Sequence, residues 1–194
     1  MTRQFLAMKG TAVSQSPLIN IERTFKGMSV IQMEEGAKIG HITDVVVHPT
    51  EGFVMGFVLV TNDGKEQVRV ANDCSINQTL GALMVMPGAW DDQQQIRTTL
   101  ARGVRVCESL LGIEIVTRNG KSLGRVIEVY ATESELRTIY RVASYRLRFL
   151  VRGGTYLPGD LPIAWLERGA RLIVPADTME RESFSTIDEV LKFV

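Results

Sequence analysis

The chain has 194 residues, which is enough for one large domain or two small ones, and its 22 Lys+Arg balance its 22 Asp+Glu. A formal net charge of zero argues against a dedicated nucleic-acid binder, because such proteins draw affinity from lysine and arginine contacts to phosphates. With 45% hydrophobic and 23% charged residues, the composition is that of a folded globular protein and excludes global disorder.

Little in the sequence points to a membrane or to an oxidising compartment. The N-terminal apolar stretch, residues 5–8, is too short for the apolar region of a signal peptide. The longest apolar run, residues 53–60, falls well below the about 20 residues that a membrane-spanning helix needs. We expect a soluble cytoplasmic protein in which Cys74 and Cys107 are buried, reduced thiols, with a single disulfide between them as the alternative.

The chain contains an internal repeat. Three blocks recur in the same order at offsets of 85, 84 and 88 residues: 27–31 with 112–116, 36–46 with 120–130, and 81–87 with 169–175. The period is longer than that of solenoid repeats, so each copy is expected to be a small domain. We predict an N-terminal segment 1–24, a first domain 25–90, a linker 91–103, a second domain 104–180 and a C-terminal tail 181–194.

The first copy shows the apolar pattern of short strands separated by turns. Residues 39–47 and 53–61 are rich in β-branched and apolar residues, which favours strands. Between them lies a turn with Pro49 and Gly52, and Asn62-Asp63-Gly64 closes a hairpin. Two further strands are predicted over 67–71 and 82–86.

The second copy repeats this pattern with differences. Asn119-Gly120 makes the equivalent hairpin turn, and residues 146–151 alternate as a half-exposed strand. Residues 159–162 could lead into a turn of helix at 163–166, and a short tail helix is expected with Ser185 as N-cap. The spacing of strands and turns predicts an all-β protein with little helix.

The alternation also predicts which side chains form the core. We expect these positions to be mostly buried: Ile39, Ile42, Val45, Val47, Phe57, Leu59, Val68, Val70, Leu83 and Val85, with Leu123, Val126, Val129, Leu172 and Val174 in the second copy.

The repeated blocks resemble the PRC-barrel family. The first copy carries its pattern over residues 36–52, in which Gly40 and Asp44 lie on one apolar strand that runs into a turn with Glu51 and Gly52. The second copy matches over residues 120–130, with Glu128 in place of Asp44, and lacks the Pro-x-x-Gly turn. The family includes the cytoplasmic part of the reaction-centre H subunit of purple bacteria and the C-terminal domain of the ribosome maturation factor RimM. The resemblance implies two tandem small PRC-type β-barrels that act as interaction modules, with no catalytic residues, metal or cofactor.

Candidate metal ligands are few. His41, Asp44 and His48 lie on or beside one predicted strand, where His41 points away from the other two side chains. At about 3.3 Å per residue, Asp44 and His48 are about 13 Å apart, too far to share an ion. We therefore expect no metal site here, and we expect Asp44 and Glu128 to accept structural hydrogen bonds. No nucleophile is visibly paired with a base, so we expect no enzyme activity.

The second copy carries the features that favour binding. Arginines interleave with aromatic residues over residues 137–152, which indicates either an anionic partner or a solvated strand face. The 156–166 insertion is either a docking loop or a segment that packs Trp165 across one barrel mouth. Because the copies diverge most here, we place a partner site on the second copy, or, alternatively, these residues fill the contact between the copies. The site residues are Arg141, Tyr145, Arg148, Tyr156 and Trp165.

These observations predict a non-catalytic interaction or scaffold module that binds another protein or protein complex. One alternative is a peripheral subunit or assembly factor of a membrane complex, which would be similar to the reaction-centre use of the fold. Another is an RNA- or ribosome-associated factor, which would be similar to RimM.

Overall fold

A computed structural model describes residues 17–77, 79–86, 101–143, 155–166, 171–178, 184–186 and 189. The elements of the first part are β1 (Leu18–Asn20), α1 (Ile21–Phe25), β2 (Ser29–Gln32), β3 (Lys38–His48), β4 (Phe53–Thr61), β5 (Glu66–Val70), a 3₁₀ turn (Ala71–Asp73), β6 (Cys74–Asn77) and β7 (Ala82–Val85). Those of the second part are β8 (Val104–Arg105), a helical turn (Val106–Leu110), β9 (Glu114–Thr117), β10 (Ser122–Thr132), β11 (Thr138–Ala143), β12 (Thr155–Pro158), β13 (Ala164–Leu166) and β14 (Arg171–Val174).

The strands form two seven-stranded sheets with the same internal order. The first sheet runs β5-β4-β3-β2-β7-β6 and the second runs β12-β11-β10-β9-β14-β13. In both sheets the one parallel pair on this path is the equivalent one, β2 with β7 and β9 with β14. The prediction of an all-β protein with little helix is confirmed. Within the described residues, the strand pairing does not close either sheet into a complete barrel.

The same backbone turn opens both copies. Gly27 and Gly112 have positive φ values of 83° and 85°, which glycine adopts without a steric penalty. Their N–H groups donate to the carbonyls of Ile42 and Val126, both at 2.8 Å. The predicted equivalence of the two glycines therefore holds in the structure, whereas Pro87 of the predicted Pro87–Pro175 pair lies outside the described residues.

The first strand of each copy pairs with the sheet of the other copy. Strand β1 pairs antiparallel with β10, where Ile19 faces Ala131, and β8 pairs antiparallel with β3, where Val104 faces Val47. The predicted segment boundaries do not anticipate these pairs. Strand β1 lies in the predicted N-terminal segment 1–24 but pairs with the second copy, and β8 begins the predicted second domain but pairs with the first copy. The two copies are thus joined by exchanged strands.

The contact between the copies is reciprocal. The Val54 N–H donates to the Leu136 carbonyl at 3.0 Å, and the Thr138 N–H donates to the Gly52 carbonyl at 2.8 Å. Val54 and Gly52 are the repeat equivalents of Thr138 and Leu136, so the two bonds are related by an approximate two-fold axis. Phe53 and its equivalent Arg137 face each other across this axis as an antiparallel pair. The arrangement is that of an isologous interface built within one chain.

One apolar core runs through both copies. A single cluster of buried residues includes Phe25, Phe57 and Leu59 of the first copy and Leu110 and Val126 of the second. Most of the predicted core positions are buried, whereas Ile39 is half-buried and packs against this cluster.

Strand β5 presents the face opposite to the predicted one. Val68 and Val70 are half-buried, and the side chain between them, Arg69, is fully buried and donates to Gln67. The alternation along this strand was interpreted with the valines inward, which is wrong. Val68 instead packs outside the sheet, against a second apolar cluster.

One helix prediction is also wrong, and the predicted cap of a second helix is shifted by one residue. Residues 164–166 form β13, in which Trp165 pairs with Leu172 of β14, because the neighbouring strand offers main-chain partners that a single helical turn lacks. At the tail, the helix cap lies one residue later than predicted, because the Thr186 hydroxyl, and not that of Ser185, accepts from the N–H of Glu189. The Glu189 carboxylate accepts from the Ser185 N–H in return. The predicted strand 146–151 and residues 91–100 of the predicted linker lie outside the described residues.

Candidate partner-binding face on the second sheet

The outer face of the first sheet is apolar and covered. Val46, Met55 and Val58 form a cluster there, against which Val68 packs. On β8, Arg105 lies opposite Val46 of β3, and its guanidinium contacts the Glu66 carboxylate of β5 at 2.5 Å. Its side chain lies on the same side of the sheet as the cluster, and arginine stems commonly cover apolar surface.

The same face of the second sheet carries different chemistry. By strand register, Tyr130, Arg141 and Tyr156 occupy the places of Val46, Val58 and Val68. The equivalent of Arg105 is Asn20, which faces Tyr130 and whose side chain accepts from the Arg23 N–H at 3.0 Å as the N-cap of α1. Asparagine is shorter than arginine and this side chain is engaged in the cap, so it does not make the counterpart of the Arg105–Glu66 ion pair.

Glu128 organises this face. Its carboxylate accepts from Arg141 at 2.5 Å, from the Tyr130 hydroxyl at 2.9 Å and from Arg23 at 3.0 Å. Burial acts to raise the pKa of Glu128, but the hydrogen bonds from Arg141 and Tyr130 outweigh it, so the pKa is lowered. Burial, and then the bond to Glu128, raises the pKa of Tyr130. Glu128 is therefore held ionised between two guanidinium groups.

The exposed parts of this cluster are aromatic and cationic. The rings of Tyr130 and Tyr156 pack at 6.3 Å with an angle of 54° between their planes, and both residues are half-buried. The Arg23 side chain is 78% exposed, although Glu128 holds its guanidinium. We call Arg23, Glu128, Tyr130, Arg141 and Tyr156 the tyrosine–arginine face.

The structure brings two of the predicted site residues together. Arg141 on β11 lies directly opposite Tyr156 on β12. Tyr145 and Arg148 lie outside the described residues. Trp165 is half-buried on β13, at the other end of the strand order, and it packs against the core rather than beside Arg141.

Sequence reasoning missed Arg23 and Tyr130 as members of this face. The signal that finds Tyr130 is the repeat itself, since aligning the copies sets this tyrosine against Val46. Arg23 carries no comparable signal, because it joins the face only through the strand exchange of β1.

The predicted 156–166 loop is mostly structured and covered. Leu157, Pro158 and Pro162 are buried, and the Gly159 N–H donates to the Thr138 carbonyl at 2.8 Å. A Cβ atom at Gly52 would collide with the main chain of Gly159 and Asp160, so this turn packs tightly on the first copy. The segment contributes to the contact between the copies, as the alternative interpretation of the sequence has it.

The described part of the arginine-rich stretch is paired with carboxylates. Arg137 contacts Glu135 at 3.2 Å and Asp160 at 3.6 Å, and Arg141 contacts Glu128. Tyr140 is fully buried in the core. Arg146, Arg148 and Arg152 lie outside the described residues.

The carboxylate of Asp44 has the structural role that was predicted. It accepts from the N–H groups of Val45 at 2.7 Å, Cys107 at 2.9 Å and Glu108 at 3.1 Å, so it caps the helical turn 106–110 of the other copy. His41 is exposed, and the ring of buried His48 accepts from the Glu51 N–H. In the part of the chain that the structure describes, no three His, Cys, Asp or Glu side chains are grouped as metal ligands would be.

Both cysteines are free thiols and half-buried. Burial, followed by the charge of Asp44, raises the pKa of Cys107 to about 11. The thiolate is the reactive form of cysteine, so this thiol is a poor nucleophile at neutral pH.

A cleft of about 640 Å³ opens beside the turn of the first copy. His48 stacks on Phe53 at 5.7 Å in its wall, Met55 and Val70 give it apolar lining, and Arg102 lies at its edge. In the second copy, Pro158 takes the place of Val70 and is buried. The cleft lies on the first copy, and its lining includes no residue of the tyrosine–arginine face.

Comparison with known proteins identifies the first copy. Residues 23–76, which run from α1 to β6, match the PRC-barrel domain. This stretch is therefore a PRC-barrel domain, a type of domain that generally serves as a protein-interaction module. The second copy lies outside the matched range, and its assignment to the family stays a prediction. No curated protein matches the chain. None of the helices among the described residues has the length and apolar content needed to cross a membrane.

Proposed function

We propose that this PRC-barrel protein is a non-catalytic interaction or scaffold module of the cytoplasm, and that it binds another protein through the tyrosine–arginine face. The observation that carries the proposal is the difference between the two outer faces. Tyr130, Arg141 and Tyr156 stand where the first sheet has Val46, Val58 and Val68. The same backbone thus presents a buried apolar face in one copy and a half-buried aromatic and charged face in the other.

The chemistry of this face suits protein recognition. Tyrosine and arginine are enriched among the residues that dominate protein interfaces, since they combine apolar area with hydrogen bonding. Glu128 already holds both guanidinium groups in place, which reduces the side-chain entropy lost on binding. Tyr145 and Arg148 belong to the proposed site because they lie in the connection from β11 to β12, the strands of Arg141 and Tyr156.

The proposal predicts that Tyr156→Val, which installs the residue of the first copy, weakens partner binding while Tyr156→Phe retains most of it. Proteins captured by tagged wild-type chain and by each variant are compared by quantitative mass spectrometry. A partner depleted with Tyr156→Val is then purified and titrated in a calorimeter. We expect its Kd to rise about tenfold or more, as for an interface tyrosine worth about 1.4 kcal/mol or more.

Controls separate binding from folding. Ile163→Ser removes an exposed apolar side chain elsewhere on the second sheet and is expected to leave binding unchanged. Thermal melting must show that each variant stays folded. Equal affinity of wild type and Tyr156→Val for every captured partner would refute the proposed face.

The captured partner also separates the alternatives. A subunit of a membrane complex would favour the peripheral-subunit role. An RNA partner would show binding that weakens steeply with salt, because phosphate contacts release counterions. The protein-binding role is the one we propose, because Arg137 and Arg141 already face carboxylates.

A further inference from the structure

The contact between the two copies does not require that both belong to one chain. Each copy supplies a strand to the other, β1 to β10 and β8 to β3, and the turn bonds across the two-fold axis are reciprocal. We propose that the surface each copy presents to the other also accepts the complementary copy of a second chain, giving a dimer that exchanges whole copies.

The polar contacts define which copy fits. Glu128 of the second copy binds Arg23 of the first, and the repeat equivalent of Arg23 is Glu108. If two second copies were paired, Glu128 would face Glu108, and two carboxylates would repel each other. The surface therefore selects a first copy for each second copy, and two chains are the smallest exchanged assembly that leaves no copy unpaired.

The exchanged dimer retains the contacts that the described residues make between the two copies. In each half, Asp44 of one chain would cap the helical turn 106–110 of the other, and Phe53 would face Arg137. The monomer differs only in that the connection through residues 87–100 keeps its own two copies at high effective concentration. Exchange is therefore expected when chains fold together at high protein concentration, as in other domain-swapped proteins.

The pair at the two-fold axis gives a direct test. Phe53 and Arg137 lie between the two reciprocal main-chain bonds, which makes them a non-hydrogen-bonded antiparallel pair. In such a pair the Cα atoms are about 4.5 Å apart, within the range that a disulfide spans. Two chains are made in a Cys74→Ala/Cys107→Ala background, one with Phe53→Cys and one with Arg137→Cys. They are unfolded together, refolded at high concentration and oxidised.

We expect a reducible product of twice the 21.6 kDa chain mass from the mixture. Neither chain refolded alone should give this disulfide-linked product. In an exchanged dimer of identical chains, each introduced cysteine faces a native Arg137 or Phe53 and has no thiol partner. Mixing the two chains after separate dilute refolding should also give at least tenfold less product, since exchange then requires unfolding.

A chain carrying both Phe53→Cys and Arg137→Cys is the geometric control. If it closes its internal disulfide while the refolded mixture gives no cross-linked dimer, the proposal is overturned. If the control chain does not close, light scattering on the unmodified chain refolded at the same concentration decides. A dimer fraction that rises with concentration and keeps the circular dichroism of the monomer supports exchange, and monomer alone overturns it.

Discussion

At the scale of single residues, Asp44 and Glu128 hold equivalent positions and do different work. Asp44 is buried and caps a helical turn, whereas Glu128 joins two arginines and a tyrosine at the surface. Asp44 binds the helical turn 106–110 of the second copy, and Glu128 binds Arg23 in α1 of the first. Each carboxylate therefore contacts the first helical segment of the opposite copy. The sequence shows that the two positions correspond, but their partners lie 63 to 105 residues away in the chain and depend on the strand exchange.

Glu128→Gln should lower the free energy of unfolding by about 1–3 kcal/mol at pH 7, because Arg141 loses its ionic partner in a half-buried site. The folded-state pKa of Glu128 is lowered, so its stabilising effect is present above the unfolded-state value and is lost as pH falls through the folded value. Urea denaturation of wild type and variant should therefore differ at pH 7 and converge in strong acid. A difference that is equal at both pH values would contradict this account.

Gly52 and Gly36 form a matched pair for testing the contact between copies. Both have positive φ, 66° and 63°, but a Cβ atom at Gly36 meets nothing within 4 Å, whereas at Gly52 it collides with the 159–160 turn. Gly36→Ala should cost about 1 kcal/mol from backbone strain alone, and Gly52→Ala clearly more. Chemical denaturation measures the free energy of unfolding of both variants. Equal losses would mean that the 159–160 turn can move away from residue 52 at little energetic cost.

At the scale of elements, the strands and their turns could be predicted well from local signals. Strands β3 and β4 are long and rich in β-branched residues, and their turns carry glycine where φ is positive. The face that strand β5 turns to the core could not be predicted in this way. Its two valines alternate with the long Arg69 side chain, and the sequence alone does not show which of them face inward. Val68 packs on the outer cluster and the long Arg69 side chain is fully buried, which only the tertiary contacts determine.

The cap on the helical turn 106–110 tests the link between elements of different copies. Asp44→Ala removes the acceptor of the Cys107 and Glu108 N–H groups and should cost about 1–2 kcal/mol. Hydrogen exchange should show faster exchange of these two amides, although the substitution is in the first copy. Thr43→Ala, at the adjacent half-buried position, is the control and should leave them protected. Unchanged protection in Asp44→Ala would show that other groups hold the turn.

At the scale of the whole molecule, the repeat predicts two similar units but not how they join. The family pattern and the block offsets lead to the PRC-barrel domain, which the match over residues 23–76 confirms. The exchange of β1 and β8 was not predictable, because three- and two-residue strands carry too little pattern to show which sheet they join. For the same reason, the sequence could not show that Arg23 joins the face that holds Arg141 and Tyr156, the two predicted site residues that the structure brings together.

The exchanged strands and the shared core should make the two copies one cooperative unit, on which the two outer faces differ. Native-state hydrogen exchange of wild type and Leu59→Ala tests it most directly, because Leu59 is fully buried in the first copy and its truncation should cost about 2–5 kcal/mol. The slowest amides of β3 and of β10 should lose protection by the same free energy. Loss confined to the first copy, with β10 unchanged, would show that the copies unfold independently and would contradict it.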